Sequence, residues 1–297
     1  MTTPSTLRIL FAVNPVSGGT DKTELETTIQ TYFDDSPHEA RFFHLDGKDD
    51  NALIREQIAD YKPDRVVAVG GDGTIKIVAE ELLHSTMTLG ILPAGSANGM
   101  AKELGLPESV PDRLNVIVNG ESKPTDVIII NNSELCLHLS DIGLNAQLVK
   151  HYAENNWRGK IGYLRAVLRT LEQRKMLRLE LETATGVQVR AAYMVVLANA
   201  RMYGTGATIN PDGDLSDGLF EVVILRTLSF WEFLKLFWRY QPFDKRRIEV
   251  LQVRHITIRT KNKAYFQIDG EYRGRIREVT ARIEPGALRV MVPGEQT

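Results

Sequence analysis

Four β-branched or small apolar residues, Val66-Val67-Ala68-Val69, run straight into Gly70-Gly71-Asp72-Gly73-Thr74. A short apolar run of this kind reads as a strand buried on both faces, which belongs to a parallel sheet. A helical pattern begins immediately afterwards, so the glycines fall at the carboxyl end of a strand, where open α/β sheets bind ligands. Glycine presents bare backbone N–H groups to a phosphate and takes positive φ without strain. Thr74 is expected to cap the helix that follows. Asp72 is the one ionisable group of the turn, placed to hold Mg²⁺, bound water or a reacting hydroxyl. A plain strand-to-helix turn is the simpler alternative, and the doubled glycine around an aspartate argues against it.

The chain has 297 residues, enough for two domains with cores of their own. The first ~130 residues alternate strand and helix, the pattern of a parallel sheet with helical crossovers. Strands are expected over Leu7–Val13, Ala40–Leu45, Arg65–Val69 and Thr88–Leu92. Helices are expected near Lys22–Phe33, Asn51–Tyr61, Ile75–Leu83 and Ala97–Leu104. After Asp126 the rhythm changes to short strands: Val127–Ile130, Leu135–Leu139, Leu177–Glu182, Gln188–Ala198, Leu219–Leu225, Ile248–Thr260, Lys263–Ile268 and Val279–Ile283. One helix interrupts them over Ile161–Gln173. The expected architecture is an α/β Rossmann-like N-terminal domain over 1–127 and a β-rich antiparallel sandwich over 128–285. A Gly-x-Gly-x-x-Gly fingerprint and a Walker-type loop are both missing.

Four further segments carry chemistry. Asn14-Pro15-Val16-Ser17-Gly18-Gly19 follows the first strand, and Pro93-Ala94-Gly95-Ser96-Ala97-Asn98-Gly99 follows the fourth. Both loops should share a rim with Gly70–Thr74, with Ser96 capping the next helix. Pro211–Leu219 packs Asp212, Asp214 and Asp217 among two glycines, a spacing that suits a hard cation but also an ordinary acidic turn. Phe266–Glu271 ends a strand in Asp269-Gly270-Glu271, either a hairpin turn or the source of a general base from the second domain.

In this order, the segments resemble the diacylglycerol kinase catalytic family, whose members include bacterial lipid kinases, sphingosine kinases and ceramide kinases. The resemblance rests on Gly70–Thr74, the Asn14–Gly18 loop, the Asp212–Gly218 loop and Asp269–Glu271, and it covers nearly the whole chain. It implies ATP as phosphoryl donor, bound by Asn14, Ser17, Gly18, Gly70, Gly71, Gly73, Thr74, Gly95, Ser96 and Asn98. It implies Mg²⁺ held by Asp214, Asp217 and the carbonyl of Leu219, and catalysis by Asp72 and Glu271. It also implies that residues 286–297 return to pack on the first domain. This chain departs from the family pattern at Ser96, Gly99, Lys76 and Ile77. NAD kinases share the glycine-rich turn, so a water-soluble acceptor stays open, as does a nucleotide-regulated lipid-binding protein without catalysis.

Charge divides unevenly: the first 130 residues balance to −9 and the remainder to +7. A basic half suits anionic lipid headgroups or nucleic acid. The aromatic face Phe230, Phe233, Phe237 and Trp238, followed by Lys245-Arg246-Arg247, suits a helix at a lipid interface or one packed on the β-rich domain, and both hold if it shields bound acyl chains; Trp157–Lys160 with Arg165 and Arg169 reads as a secondary lipid contact. A nucleic-acid partner is therefore not expected, and a homodimer is left open. The single cysteine, Cys136, reads as a buried thiol in a reducing compartment. Neither an 18-residue apolar run nor a signal peptide is visible, so the expected location is cytoplasmic with peripheral membrane contact.

Overall fold

The computed structural model describes residues 6–18, 22–154, 170, 175–202, 209–227 and 248–294. The expected helix over Ile161–Gln173 falls largely outside these residues, as do the Trp157–Lys160 contact and the aromatic helix with its basic tail. The chain forms two compact units, Met1–Thr125 with Gly286–Thr297, and Asp126–Pro285.

The first unit is built on strands β1 (Arg8–Val13), β2 (Glu39–His44), β3 (Arg65–Gly70) and β4 (Thr88–Pro93). They pair in parallel in the order β2-β1-β3-β4. Helices α1 (Lys22–Asp34), α2 (Asp50–Tyr61), α3 (Asp72–Leu82), α4 (Gly99–Glu103) and α5 (Val110–Asn119) cross between or follow the strands. β1 and β3 are wholly apolar and buried from their second residue onward, as strands covered on both faces must be. Ile9, Phe11, Val13, Val67 and Val69 face Ile29 and Phe33 of α1 and Leu114, Ile117 and Val118 of α5. Alternation sends the intervening residues to the opposite face. The helix α5 is absent from the sequence reading. Ser109 caps it by accepting from the Asp112 N–H, and Pro sits in its first turn.

The second unit is antiparallel. Its strands are β5 (Glu121–Ile130), β6 (Glu134–Cys136), β7 (Leu139–Gly143), β8 (Leu177–Thr183), β9 (Gly186–Ala192), β10 (Met194–Ala198), β11 (Phe220–Leu225), β12 (Ile248–Val253), β13 (His255–Ile268) and β14 (Glu271–Val292), with helix α6 (Leu144–Glu154) after β7. The main path runs β12-β11-β10-β7-β13-β14, with the β8–β9 hairpin attached to β13 and β6 paired to β5. Two of the expected long strands are each split in the structure. Gln188–Ala198 bends at Tyr193 between β9 and β10, and Ile248–Thr260 breaks at Arg254 between β12 and β13. One face of β10 and β11, with Val195, Leu197, Val222 and Ile224, joins the larger core. The other face, with Val196, Ala198, Val223 and Leu225, packs on Leu144 and Leu148 of α6. β5 and β14 carry the chain out of and back into the first unit, where Val290 pairs in parallel with Leu89 of β4. Among the described residues no helix is long and apolar enough to cross a membrane.

One charge lies at the centre of the second unit. Asp141 on β7 is fully buried. Its Oδ1 accepts from the Ala146 N–H at 2.8 Å, in the first turn of α6, and its Oδ2 accepts from Asn145 Nδ2 at 2.6 Å and Gln267 Nε2 at 2.5 Å. Burial pushes its carboxyl up to about 6, against the pull of these three donors. A folded-state value above the unfolded one means that stability is greatest while the group is protonated. The contribution is complete below about pH 4 and is lost as pH rises through about 6, a change of about 3 kcal/mol at 1.36 kcal/mol per unit. Denaturation midpoints of wild type should therefore fall between pH 4 and pH 6 relative to those of Asp141→Asn. Parallel profiles for the two proteins would remove Asp141 as the source.

Candidate active site

Three loops meet at the carboxyl ends of β1, β3 and β4, and hydrogen bonds between them fix the rim. The Asn14 N–H donates to the Val69 carbonyl at 3.0 Å, and the Ala94 N–H to the Gly70 carbonyl at 2.7 Å. The Asn14 side chain accepts from the Val16 N–H at 3.1 Å and donates through Nδ2 to Thr74 Oγ1 at 3.0 Å. Ser17 Oγ donates to the Asn14 carbonyl at 3.1 Å.

Thr74 is not the cap of its helix. α3 begins at Asp72 with Gly71 in the cap position, and Thr74 lies buried inside the first turn. Its hydroxyl is spent on Asn14, and it sits so close above Gly70 that any Cβ there would collide with Thr74 Oγ1. Ser96 is not a cap either. α4 starts at Gly99, Asn98 holds the cap position with φ +51°, and Ser96 is exposed on the loop. The Asn98 side chain instead closes the loop on Gly95, accepting its N–H and donating to its carbonyl, each at 2.9 Å.

The orphan N–H groups of α4 are met from another loop. Asp72 Oδ2 accepts from the Gly99 N–H and Oδ1 from the Met100 N–H, both at 3.0 Å. A carboxylate at a helix N-terminus also meets the favourable end of its dipole. Asp72 thus clamps the third loop to the second, and each of its oxygens keeps a further lone pair for a ligand. The two loops touch backbone to backbone: a Cβ on Gly95 would lie 2.5 Å from the Gly71 Cα. Gly18, at φ +62°, meets the Ala94 carbonyl in the same manner. Gly73 is exposed and has nothing within 4 Å of its Cβ position, so its glycine leaves the rim open.

One cation joins this group that sequence reasoning missed. Lys22 opens α1, is buried, and reaches the Ala94 carbonyl with Nζ at 3.4 Å. Burial pulls its ammonium below the ordinary lysine range. Its only sequence signal was a lysine a few residues past the Asn14–Gly19 loop.

In the second unit, Asp269-Gly270 forms the two-residue turn between β13 and β14, with φ +49° and +85°. Positive φ at both central residues is the geometry of a type I′ hairpin, for which Asp-Gly is a favoured pair. Asp269 is an architectural residue. Its carboxylate accepts from the N–H groups of Leu137 at 3.1 Å, His138 at 2.9 Å and Leu139 at 3.3 Å. Glu271 follows on β14, exposed, with Oε2 2.9 Å from Arg273 Nη2, while Arg273 Nε also pairs with Glu134 at 3.0 Å. Gln267 Oε1 accepts from the Gly270 N–H at 2.6 Å.

The acidic loop is ordered by Asp126, a second missed residue. Its N–H donates to the Leu215 carbonyl at 2.6 Å and its Oδ2 accepts from the Gly218 N–H at 2.6 Å. Asp214 Oδ1 accepts from the Ser216 N–H at 2.9 Å and its hydroxyl at 2.7 Å; Asp217 Oδ1 accepts from the Leu219 N–H at 2.9 Å. Both carboxylates are exposed, and in each the second oxygen takes no part in these bonds. This is hard oxygen chemistry of the type Mg²⁺ takes, with room for water in its shell. Among the described residues no cluster of three or more His, Cys, Asp or Glu side chains converges on one point, so any cation here relies on carbonyls and water as well.

Known proteins share both units. Residues 8–130 match the model of the diacylglycerol kinase catalytic domain, and residues 140–292 match that of the YegS C-terminal NAD kinase beta sandwich-like domain. The chain is 26% identical to a diacylglycerol kinase of Bacillus subtilis, over 72% of this chain and 73% of that one. It is 27% identical to a probable lipid kinase YegS-like of Cronobacter sakazakii, over 83% and 84%. The crystal structure of a putative diacylglycerol kinase from Bacillus anthracis superposes with a TM-score of 0.80 at 23% identity, covering 98% of both chains, which establishes the common fold. With both halves matched in order by these two family models, the chain belongs to the diacylglycerol kinase catalytic family, in its bacterial lipid kinase branch.

Proposed function

We propose that this kinase transfers the γ-phosphoryl group of ATP to the hydroxyl of a lipid, with a diacylglycerol-like or sphingoid acceptor, in a Mg²⁺-dependent reaction. The observation that carries the reading is the convergence of three glycine-lined loops on the ligand-binding edge of a parallel sheet, held by Asn14–Thr74, by the Gly71–Gly95 contact and by the Asp72 clamp. The glycine-lined rim, open at the exposed Gly73, suits nucleotide phosphates, and Lys22 adds a cation to the same loops. The names of the Bacillus subtilis and Cronobacter sakazakii relatives support a lipid acceptor over a water-soluble one.

In this reading Glu271 accepts the proton of the attacking hydroxyl. An oxygen–phosphorus bond forms at the acceptor, the bridge between the β- and γ-phosphoryl groups breaks, and ADP leaves. Transfer of this type depends mainly on positioning and charge neutralisation. Asp72 orders the nucleotide loops and keeps lone pairs facing the ligand. Mg²⁺, when bound, neutralises phosphate charge, and Asp214, Asp217 and the Leu219 carbonyl are the residues that would hold it. Peripheral contact with anionic lipid, through the aromatic and basic segment at 230–247, completes the proposal.

Label from γ-labelled ATP should appear in lipid when the purified protein is incubated with Mg²⁺ and mixed micelles of a total lipid extract. Asp72→Ala and Glu271→Ala should each abolish that label. Asp72→Ala should also lower stability by about 1–3 kcal/mol, because Gly99 and Met100 lose their acceptor, whereas Glu271→Ala should melt as wild type does. Label appearing in NAD but not in lipid would overturn the acceptor assignment. Nucleotide-dependent vesicle binding without transfer would overturn the enzymatic one.

Metal dependence provides a separate check. Chelation should abolish transfer, and Asp214→Ala or Asp217→Ala should raise the Mg²⁺ concentration needed for half-maximal rate about tenfold or more, by analogy with the loss of a metal-site partner. An unchanged Mg²⁺ requirement in both variants would place the ion elsewhere.

A further inference from the structure

Asp141 and Gln267 stand directly opposite each other on β7 and β13. Both are buried, Asp141 at 0% and Gln267 at 1% exposure. Between them they connect the start of α6 to the turn that presents Glu271. Asp141 is pinned by the Ala146 N–H and Asn145 Nδ2, it receives Gln267 Nε2 at 2.5 Å, and Gln267 Oε1 receives the Gly270 N–H at 2.6 Å. Ser140 Oγ anchors the same glutamine through its main-chain carbonyl at 2.7 Å.

We propose that Asp141 is a positioning residue for catalysis: it fixes the direction of the Gln267 amide, and through the Gly270 N–H it sets the backbone from which Glu271 reaches the acceptor hydroxyl. The inference rests on the reading of Glu271 as general base.

An amide has a donor end and an acceptor end of nearly equal shape. Packing alone leaves Gln267 free to take either orientation. An ionised carboxylate only accepts, so Asp141 admits the Nε2 end and turns Oε1 towards Gly270. The opposite orientation sets Nε2 against the Gly270 N–H, donor facing donor, beneath a turn whose two central residues already require positive φ. An asparagine at position 141 occupies the same volume without charge, but with its Oδ1 held by the Ala146 N–H its Nδ2 faces Gln267 and draws Oε1 away from Gly270. The carboxylate is buried in spite of a desolvation cost that pushes it up to about 6, which leaves it mainly ionised at neutral pH. Asp269 holds the other side of the turn through Leu137, His138 and Leu139. The turn is therefore bound at both central residues, and the Gly270 side is the one whose polarity is open to reversal.

The test reverses that polarity in the full-length protein. Asp141→Asn should lower kcat for lipid phosphorylation about 10–100-fold, the scale of a small misplacement, with the KM for ATP within about twofold of wild type. Gln267→Glu should do the same by facing two carboxylates. Combined, the two substitutions should bring kcat back to within about threefold of wild type: the amide at 141 then donates to the carboxylate at 267, which accepts from Gly270. A double variant no better than the worse single one overturns the relay, since a purely structural role gives additive losses. Should Asp141→Asn fail to fold, Gln267→Met removes the Gly270 acceptor at similar volume, and wild-type kcat in it would equally overturn the proposal. Glu271→Gln is measured alongside. If it retains turnover, the base assignment fails and the relay with it. If it is inactive while Gln267→Met and Asp141→Asn keep wild-type kcat, only the relay fails.

Discussion

Loops that share one rim can approach only as closely as their side chains permit, and at Gly71 and Gly95 there are none. The 2.5 Å between the Gly71 Cα and a Cβ that Gly95 lacks is the backbone approach that brings the second and third loops together. Once the second and third loops lie this close, Asp72 reaches the N–H groups of Gly99 and Met100, and Asn98 can fold back on Gly95. Alanine at 95 would force the loops apart before any hydrogen bond could form. Asp72 then has two uses, one in the architecture and one proposed in the chemistry. Loss of activity alone therefore assigns it no catalytic role; the comparison with Glu271, which supports no such loop, separates the two.

The second unit solves a similar problem with charge. A hairpin turn with positive φ at both Asp269 and Gly270 is compact but has few contacts of its own. Asp269 secures it by taking three N–H groups from the 137–139 segment, and Gln267 secures its neighbour. The Asp269 bonds are charge-assisted, which makes each stronger than its neutral counterpart. The Arg273–Glu271 pair is different. It is half exposed and contributes little to stability. Glu271 is thus supported on a firm backbone while its carboxylate stays in solvent, free to exchange Arg273 for another partner.

What could be read from the sequence was what depends on local pattern. The runs at Arg65–Gly70 and Arg8–Val13 read as strands because burial on both faces leaves an unbroken apolar string. The α/β and antiparallel character of the two halves followed from the same signal. Strand ends within the second unit were harder. Gln188–Ala198 reads as one apolar strand, and only pairing shows that it breaks at Tyr193 into two strands of the same direction, since β9 pairs with β8 while β10 pairs with β7 and β11. Helices α5 and α6 were missed for opposite reasons. α5 carries Pro111 in its first turn, easily taken for a breaker, whereas α6 follows β7 with scarcely a turn between. Both cap assignments, Thr74 and Ser96, failed because a residue with capping chemistry was assumed to serve its own helix. Thr74 serves Asn14, sixty positions earlier, and the N–H groups of α4 are served by Asp72.

That failure points to a rule of construction shared by both units. Asp72 holds Gly99 and Met100, Asp126 holds Gly218, Asp141 holds Ala146 and Asp269 holds Leu137 to Leu139. In each case a carboxylate, within a strand at Asp126 and Asp141 and just past a strand end at Asp72 and Asp269, captures backbone N–H groups of another segment. Buried N–H groups must find an acceptor, and a carboxylate offers two oxygens with several lone pairs from a single position. A motif aspartate can therefore be retained for architecture while its neighbour carries the chemistry. In Asp269-Gly270-Glu271 the contacts divide within three residues: the aspartate faces the segment behind it, the glycine N–H faces Gln267, and the glutamate side chain is exposed, as the proposed base requires.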